Sequence, residues 1–462
     1  MTPSRPGGAL RLVDGDDAVE VAPAESVPLP EGTVTDVGPP RGLPPKSATL
    51  KGALPDNVAM LRVEPTGTGT DERFALHFHR YGKQFSVLDA LDLRAQRRNA
   101  FKTFAEVADT AYRGEGSLAP GTWSDAHDDL VYKWKKLTTL GTWLCPLISE
   151  GEHTEQRVAT AERAHAAADR AGDAVTAAEE ARESDSAKAA GPRLIIMDTT
   201  TFEIPWELYC ADHGSGSPAA QTGRYLGACL PVVRLPGLDD AGLGRYIDGR
   251  RTADGGMLVY DALGPQGPPR RDDPFTAYEV RSRAVSMDDL VDRLRTVDDL
   301  LAFVLIRCHG TYDVGTNTVA LGGMSLVKFS AKDMAGLAAN GSVVLLSACG
   351  SARQIGDPPD SFAFTFLLRE ASAVVATVAD IPVASSHGFA VQLIQEAARQ
   401  PGGVDVPRRL MEHRRRKTAR LQGDGASDTA YKALLVAFMY TYYGHLHTTL
   451  RIARPDKGSR DA

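Results

Sequence analysis

The sequence lacks several features that would each assign it to a class of protein. Its five cysteines are scattered and form no Cys-x-x-Cys pair, which argues against structural zinc and indicates free thiols. Its apolar stretches, such as Ala433–Tyr440, are far shorter than the ~20 residues that a membrane helix requires. It contains no GxxxxGK[ST] loop and no GxGxxG loop, so no motif supports nucleotide binding.

The charge balance and the amino terminus exclude further classes. The formal net charge of −7 argues against a dedicated nucleic-acid-binding protein. The first residues carry no apolar segment of the kind found in secretory signals. Together with the free thiols, this predicts a cytoplasmic protein. A chain of 462 residues can bury a large core without a metal or a disulfide, and the sequence implies no metal or organic cofactor.

Composition changes along the chain predict its domain organisation. Residues 1–54 are rich in Pro and Gly and are expected to form a disordered tail. Residues 55–150 are predicted to form an accessory α+β region, and 151–190, rich in Ala and charged residues, a helical insert or linker. Residues 191–450 form the predicted core, and 451–462 a short tail.

Short apolar runs alternate with helical patterns from residue 192 onward. Each run is bounded by Gly, Asp or polar residues, which is typical of strands buried on both faces of a parallel sheet. The predicted strands are Leu194–Met197, Met257–Tyr260, Phe303–Arg307, Val343–Ser347 and Ala373–Val378. The predicted helices are Phe275–Leu300, Ala331–Ala338, Ser361–Glu370, Ser385–Arg399, Val404–Leu421 and Thr429–Leu446. The alternation predicts an α/β fold with a mostly parallel sheet flanked by helices.

The region upstream of residue 151 shows weaker patterns. Met60–Val63 and Phe74–Phe78 are predicted strands, joined by a hairpin across Gly67–Asp71. Asp89–Arg113 and Asp128–Leu147 are predicted helices.

Two of the core strands end in residues that could perform chemistry. The strand 303–307 leads into His309 and Gly310, and the strand 343–347 leads into Cys349. In a wound α/β sheet, sites form beyond the carboxyl ends of the strands, and the 40 residues between His309 and Cys349 suffice for a crossover. An imidazole beside a thiol favours the nucleophilic thiolate. The backbone N–H groups of Gly310 and Cys349 could bind the oxyanion of a tetrahedral intermediate.

Spacing alone leaves an alternative open. A cysteine after an apolar strand is usually a small buried hydrophobic residue, and a single histidine is usually structural. The residues by themselves therefore do not decide between a catalytic pair and two structural positions.

The motifs resemble the CHAT family of caspase-like, separase-related cysteine peptidases, in the clan of caspases and metacaspases. The similarity covers roughly residues 130–450 and depends on the order and spacing of short segments. They are C-H-G-T-Y-D at 308–313, S-V-V-L-L-S-A-C-G-S-A at 342–352, I-P-W-E-L at 204–208, and the segments Leu140–Leu144, Tyr225–Arg234, Phe362–Leu368, Ala371–Val378 and Ile381-Pro382. One departure is the stretch 152–190, which fills a gap that is short in the family pattern.

The resemblance implies a caspase-like α/β fold and a cysteine endopeptidase that acts on a protein substrate. His309 and Cys349 would be the catalytic pair. It also implies activation by a protein partner, in a bacterial stress or anti-phage response.

Specificity depends on the pocket for the residue before the scissile bond. Metacaspase-like sequences place an Asp two positions before the nucleophile, and this chain has the neutral Ser347 there. Asp357 and Asp360, on the following loop, are candidate substrate-binding residues that could supply a negative charge. Arg353 is a nearby candidate for an acidic substrate residue. The neutral Ser347 favours an uncharged, apolar substrate residue.

Two further groups of residues have structural interpretations. Trp206 and Glu207 are expected to fill the core and to order a buried network, respectively. The basic run Arg408–Arg420 is expected to be the solvated face of a helix, with binding to nucleic acid or an acidic partner as the alternative.

Two other functions stay open. The chain could be an inactive caspase-like scaffold that binds a partner, or a nucleic-acid-responsive regulator that uses the basic helix. The sequence names neither the substrate, the activating signal nor the oligomeric state.

Overall fold

The short apolar runs of the sequence pair side by side in a twelve-stranded sheet, accompanied by a separate three-stranded sheet. In chain order the strands are β1 (Val58–Thr66), β2 (Arg73–Arg80), β3 (Lys83–Leu88), β4 (Arg193–Asp198), β5 (Val232–Leu235), β6 (Arg250–Asp261), β7 (Leu301–Arg307), β8 (Gly310–Asp313), β9 (Thr318–Leu321), β10 (Met324–Ser325), β11 (Val343–Ser347), β12 (Ala373–Thr377), β13 (Val404–Asp405), β14 (Tyr440–Gly444) and β15 (His447–Ile452). The order across the large sheet is β13-β15-β6-β7-β11-β12-β14-β5-β4-β1-β2-β3, and β10-β9-β8 form the small one.

This architecture is that of a computed structural model, and the residues described belong to one compact unit, residues 48–462. They are 54–66, 73–81, 83–88, 123–128, 138–171, 175–176, 178–181, 191–199, 204–210, 224–235, 237, 240–247, 249–263, 273–296, 300–313, 318–352, 360–379, 381, 383–423 and 427–454. The predicted tails 1–54 and 451–462, the hairpin turn 67–71 and the predicted helix Asp89–Arg113 lie wholly or mostly outside the described residues.

Helices lie between the strands. In chain order they are α1 (Thr138–Ala171), α2 (Leu226–Cys229), α3 (Asp240–Ile247), α4 (Met287–Leu294), α5 (Leu326–Ser330), α6 (Ala335–Asn340), α7 (Phe362–Leu368), α8 (Val383–Arg399), α9 (Val406–Gly423) and α10 (Asp428–Met439), with a 3-10 turn at Trp206–Leu208. Ser286, Ser325, Ser361 and Ser427 begin α4, α5, α7 and α10, and each serine hydroxyl accepts a hydrogen bond from a backbone N–H in the first turn.

The centre of the large sheet is parallel, which confirms the predicted α/β fold class. Strands β6, β7, β11 and β12 pair in parallel with one another. Every residue of β7 and of β11 is buried, as expected for strands covered on both faces. Burial of one large aliphatic side chain contributes about 1.5–3 kcal/mol. This core holds the carboxyl ends of β7 and β11 in fixed positions.

The N-terminal strands extend the same sheet. β1 pairs in parallel with β4, and β1 and β2 form the predicted antiparallel pair, with Met60 opposite His79. Leu140, Leu144 and Leu147 of α1 pack on this end of the sheet in one hydrophobic cluster with the 3-10 turn. The described part of this region therefore contains both strands and a helix, and its strands are hydrogen-bonded into the main sheet.

Two predicted helices are wrong in part. Within Phe275–Leu300, only α4 is helical, because the chain at Glu279 and Ala284 forms isolated parallel bridges with β6. Within Thr429–Leu446, α10 ends at Met439 and the next five residues form β14, which fills the gap between β12 and β5. The aromatic run at 440–443 suits a strand, and only its neighbours in the sheet make it one.

Helix α1 crosses the predicted boundary at residues 150 and 151 without a break. Its acidic residues bind arginines of other elements. Glu150 pairs with Arg80, Glu152 with Arg224 at 3.2 Å, and Glu155 with Arg408 at 2.6 Å. The first half of the predicted insert is thus one helix with its upstream neighbour. The division into 55–150, 151–190 and 191–450 stays a prediction.

Candidate active site

His309 and Cys349 follow the ends of two adjacent parallel strands. Arg307, the last residue of β7, is the register partner of Ser347, the last residue of β11. Each candidate lies two residues beyond this pair, so both stand at the same level of the same sheet edge. His309 is exposed and Cys349 is half-buried. The small sheet, α5 and α6 make up the connection between the two strands.

Gly310 brings the two strand ends into direct backbone contact. A Cβ atom placed on Gly310 would lie 1.9 Å from the carbonyl oxygen of Cys349 and 3.2 Å from its amide nitrogen. A side chain at position 310 would therefore displace the backbone of Cys349. The amide of Gly322 donates a 3.0 Å hydrogen bond to the carbonyl of His309, which holds the histidine backbone in place.

The turn that carries Cys349 is anchored to β12. The hydroxyl of Thr377 donates to the carbonyl of Ala348 at 2.5 Å, and the amide of Ala352 donates to the carbonyl of Thr377 at 2.9 Å. Gly350 has a φ of +61°, in the left-handed region that favours glycine. The S-A-C-G-S-A motif thus forms a tight, fixed turn, of the kind that presents a nucleophile in one orientation.

Burial distinguishes Cys349 from its neighbour Cys308. Burial, with a smaller contribution from the charge of Cys349, raises the pKa of the Cys308 thiol to about 12. Burial likewise raises the pKa of Cys229 above its ordinary value. Both stay protonated near neutral pH. Cys349 and Cys145 are the half-buried thiols among the five.

Beneath the candidate pair, a row of polar side chains crosses the sheet. The register places Asp261 of β6 beside Arg307, and Arg307 beside Ser347. Asp261 and Arg307 form a buried ion pair of 2.6 Å, with side chains 4% and 5% exposed. Tyr440 of β14 is the register partner of Thr377 on β12, one strand beyond β11. These four residues, Asp261, Arg307, Ser347 and Tyr440, are called the polar row below.

The Nε atom of Arg307 has no hydrogen-bond partner among the described residues, and the buried hydroxyls of Ser347 and Tyr440 lie close enough to interact with each other. Burial raises the pKa of Tyr440, an effect that Ser347 and Arg307 oppose and that the nearby Cys349 reinforces. The Tyr440 hydroxyl thus lies within electrostatic range of Arg307 and of the candidate nucleophile. His387 of α8 borders the row; burial and then the charge of Arg307 lower its pKa.

The sequence identified Ser347 in this row and missed the other members. A charged residue that ends an otherwise apolar strand, as Asp261 and Arg307 do, was a signal for them. Tyr440 had no such signal, because it was placed in a predicted helix.

The other predicted substrate-binding residues lie elsewhere or outside the described chain. Asp357 and Arg353 are outside the described residues. Asp360 accepts a 2.7 Å hydrogen bond from the amide of Ser361 and contacts the Ser330 hydroxyl at 3.5 Å, at the start of α7. Its part in a substrate pocket stays a prediction.

The I-P-W-E-L segment builds a buried charged network, in agreement with its predicted structural role. Arg234 donates to Glu207 at 3.0 Å, and Arg414 lies 4.0 Å from the same carboxylate. Burial alone would raise the pKa of Glu207, but the charge and hydrogen bond of Arg234, with the charge of Arg414, hold it below its ordinary value. The Trp206 indole donates to Asp198 at 3.0 Å within the core.

The predicted solvated face of the basic run is wrong for three of its arginines. Arg408, Arg409 and Arg414 are 6%, 4% and 1% exposed. They bind Glu155, Glu396 and the carbonyl of Tyr440, respectively. Acidic and carbonyl groups on other elements make burial of these cations possible, and the sequence of α9 alone does not reveal those partners.

Among the described residues, no group of three or more His, Cys, Asp or Glu lies where it could hold a metal ion. No helix in this part of the chain has the length and hydropathy to cross a membrane.

Comparison with known proteins gives distant structural likenesses. No protein-family model and no curated protein sequence matches the chain. Two crystal structures of the Saccharomyces cerevisiae separase–securin complex, at 2.6 and 3.0 Å resolution, match with TM-scores of 0.45 and 0.48 and 10% identity. The matches cover 87% and 88% of this chain and 31% of the matched chain, so this chain spans about a third of that length. Similarity at this level establishes neither a family nor an activity.

Proposed function

We propose that the chain is a cysteine endopeptidase of the caspase-like, CHAT-related kind, with Cys349 as nucleophile and His309 as its proton-transfer partner. The observation that carries the proposal is the shared strand edge. Two adjacent parallel strands place a half-buried thiol and an exposed imidazole just beyond their carboxyl ends. The absence of a side chain at Gly310 allows the backbone there to touch that of Cys349.

The chemistry follows from these positions. The Cys349 thiolate attacks the carbonyl carbon of the scissile peptide, and the amides of Gly310 and Cys349 are the candidate donors to the resulting oxyanion. His309 protonates the leaving amine, which departs as the new amino terminus and leaves a thioester on Cys349. Water, deprotonated by His309, attacks the thioester and releases the carboxylate product and the free thiol.

The resemblance supports further features of the proposal. A protein substrate, control by a protein partner, and a role in bacterial stress or anti-phage defence all follow from the CHAT motifs of the sequence. The regulator alternative keeps only part of the basic run, because Arg408, Arg409 and Arg414 are buried in ion pairs or hydrogen bonds. Arg415, Arg416 and Arg420 are exposed.

Labelling of the full chain with a peptidyl acyloxymethyl ketone tests the site without knowledge of the substrate. We expect labelling of Cys349 that is lost in Cys349→Ala and reduced at least tenfold in His309→Ala. Cys145→Ala is the matched control, because Cys145 is also half-buried and lies on α1. Unchanged labelling in Cys349→Ala would refute the proposal.

Cleavage assays separate a peptidase from an inactive scaffold. The single variants Cys349→Ala and His309→Ala and their double variant should lose hydrolysis of a peptide library to the same extent, because the two groups act as one unit. A folded chain that neither reacts with the probe nor cleaves any peptide would be a scaffold.

A further inference from the structure

The turn that carries Cys349 is closed by a hydrogen bond of its own. The amide of Ser351 donates to the carbonyl of Ala348 at 3.2 Å, so Cys349 and Gly350 are the two central residues of a four-residue β-turn. The φ of Gly350 is +61°, whereas that of Cys349 is not positive. This combination is typical of a type II turn, and it places Cys349 at the corner.

A buried hydroxyl on the neighbouring strand fixes the peptide unit that precedes Cys349. The Thr377 hydroxyl donates a 2.5 Å hydrogen bond to the Ala348 carbonyl, and Thr377 is 0% exposed. The Ala348 carbonyl and the Cys349 amide belong to one planar peptide unit, in which C=O and N–H point in opposite directions. Because the carbonyl points to Thr377 at the end of β12, the N–H of Cys349 points away from β12.

That direction leads to the candidate oxyanion site. Strand β11 lies between β12 and β7, so the side away from β12 is the side of β7 and of the segment that follows it. A Cβ atom on Gly310, in that segment, would lie 3.2 Å from the amide nitrogen of Cys349. The amides of Gly310 and Cys349 are the candidate donors to the oxyanion, so the Thr377 hydroxyl sets the direction of one of the two.

Ser351 holds Thr377 in place from within the turn. The parallel register of β11 and β12 ends at Leu345 and Val375. Beyond that point the Ser351 hydroxyl accepts a 3.0 Å hydrogen bond from the Thr377 amide and donates to the Leu346 carbonyl at 3.3 Å. Ser351 is 0% exposed. Its side chain therefore connects the two strands where the turn leaves the sheet.

We propose that Thr377 is a positioning residue of the peptidase that, together with Ser351, orients the Cys349 amide toward the oxyanion; the inference rests on the proposed function. Both hydroxyls are buried and bonded within the turn, so they act through the backbone of Cys349 and not on the substrate. Their effect belongs to the step in which the substrate carbonyl oxygen becomes an oxyanion. A reaction of the Cys349 thiolate that forms no oxyanion does not need them.

Two reagents separate these reactions on the full chain. Iodoacetamide alkylates the thiolate by displacement of iodide and forms no oxyanion. With p-nitrophenyl acetate, the thiolate adds to the ester carbonyl, and the tetrahedral oxyanion collapses to an acetyl thioester on Cys349 and p-nitrophenolate. Each rate is taken as the part that is lost in Cys349→Ala. The ratio of acylation to alkylation then measures the stabilisation of the oxyanion.

Thr377→Val keeps the shape of the side chain and removes its hydroxyl. Removal of an oxyanion donor costs about 10²–10³ in rate, and a donor that is present but misdirected should cost about tenfold. We therefore expect the acylation-to-alkylation ratio of Thr377→Val to fall about tenfold, with the alkylation rate close to that of wild type. Thr377→Ser keeps the hydroxyl and should restore most of the ratio. Ser351→Ala should lower the ratio about three- to tenfold.

Thr441→Val is the matched control. Thr441 lies on β14, is 0% exposed, and donates its hydroxyl to the carbonyl of Ala376 at 3.3 Å. The change is thus the same, at equal burial and beside the same strand, but the lost hydrogen bond is not in the turn. The ratio for Thr441→Val should equal that of wild type. Circular dichroism measures whether each variant is folded, and Ser351→Ala decides the question if Thr377→Val does not fold.

The outcomes separate the two proposals. A selective fall of acylation in Thr377→Val that Thr377→Ser reverses supports the inference. An unchanged ratio overturns it, and so does an equal fall of acylation and alkylation, which would assign Thr377 to packing around the thiol. A fall of the same size in Thr441→Val also overturns it. All three leave the peptidase in place, whereas equal release of p-nitrophenolate by wild type and Cys349→Ala refutes the proposed function itself.

Discussion

Replacement of Glu207 by alanine tests whether the buried charged network holds the sheet together. Glu207 is 1% exposed and is the carboxylate between two buried guanidinium groups, those of Arg234 and Arg414, at 3.0 and 4.0 Å. Its removal deprives two buried cations of the carboxylate between them. The loss of one partner of a buried ion pair costs about 3–5 kcal/mol. That is a large share of the roughly 5–15 kcal/mol that stabilises a folded domain.

Urea unfolding followed by circular dichroism measures this cost. With a slope near the upper end of ~1–3 kcal/mol/M, the midpoint of Glu207→Ala should fall by about 1–2 M. Glu370→Ala is the matched control, because the Glu370–Arg245 ion pair joins side chains that are 50% and 52% exposed. Such an exposed pair contributes about 0–1 kcal/mol, so its midpoint should barely change.

The pH dependence gives a second measurement of the same group. Because the folded-state pKa of Glu207 is below its ordinary value of 4.5, its charge stabilises the fold fully above that pH. The stabilisation is lost as the pH falls through the folded-state pKa. Glu207→Gln should therefore be less stable than wild type at neutral pH and should lose less stability upon acidification. A neutral-pH midpoint for Glu207→Ala equal to that of Glu370→Ala would refute this account of the network.

Three further predictions concern the site and the periphery. Gly310→Ala should abolish peptidase activity, because the new methyl group would lie 1.9 Å from the backbone carbonyl oxygen of Cys349. The control Gly402→Ala, which has open space around its Cβ position, should leave kcat/KM within twofold, and similar activities of the two variants would contradict the proposed backbone contact. Cys308 should resist iodoacetamide at pH 8 in the native protein and react in urea, because burial raises its pKa to about 12. Mass spectrometry of the tryptic peptides measures this, and rapid labelling of Cys308 in the native protein would contradict its burial. Limited trypsin digestion should first cut within 152–190 or 1–54, and early fragments with both segments intact would disprove that expectation.

The sequence predicted the strands of the core because their signal is local. A strand buried on both faces must be apolar at nearly every position, so runs such as Val343–Ser347 are visible without knowledge of their neighbours. The ends of these strands then follow directly. His309 and Cys349 could be named as candidates because a parallel arrangement places such ends at one edge.

The sequence could not predict contacts whose partners are distant in the chain. Tyr440 belongs to a strand only because β12 and β5 leave a place for it in the sheet. The sequence predicts that the arginines of α9 form a solvated face, and only the tertiary structure places Glu155 and Glu396 beside Arg408 and Arg409.

Residue type and spacing thus determined the fold class and the two candidate catalytic positions, since both depend on short segments. The polar row was decided by tertiary structure, because Asp261, Arg307, Ser347 and Tyr440 come from four strands and meet only through the register of the sheet. Whether a charge is paired depends on all the strands at once. Ser347 was visible in the sequence, whereas only the fold shows the Asp261–Arg307 ion pair and the tyrosine beside it.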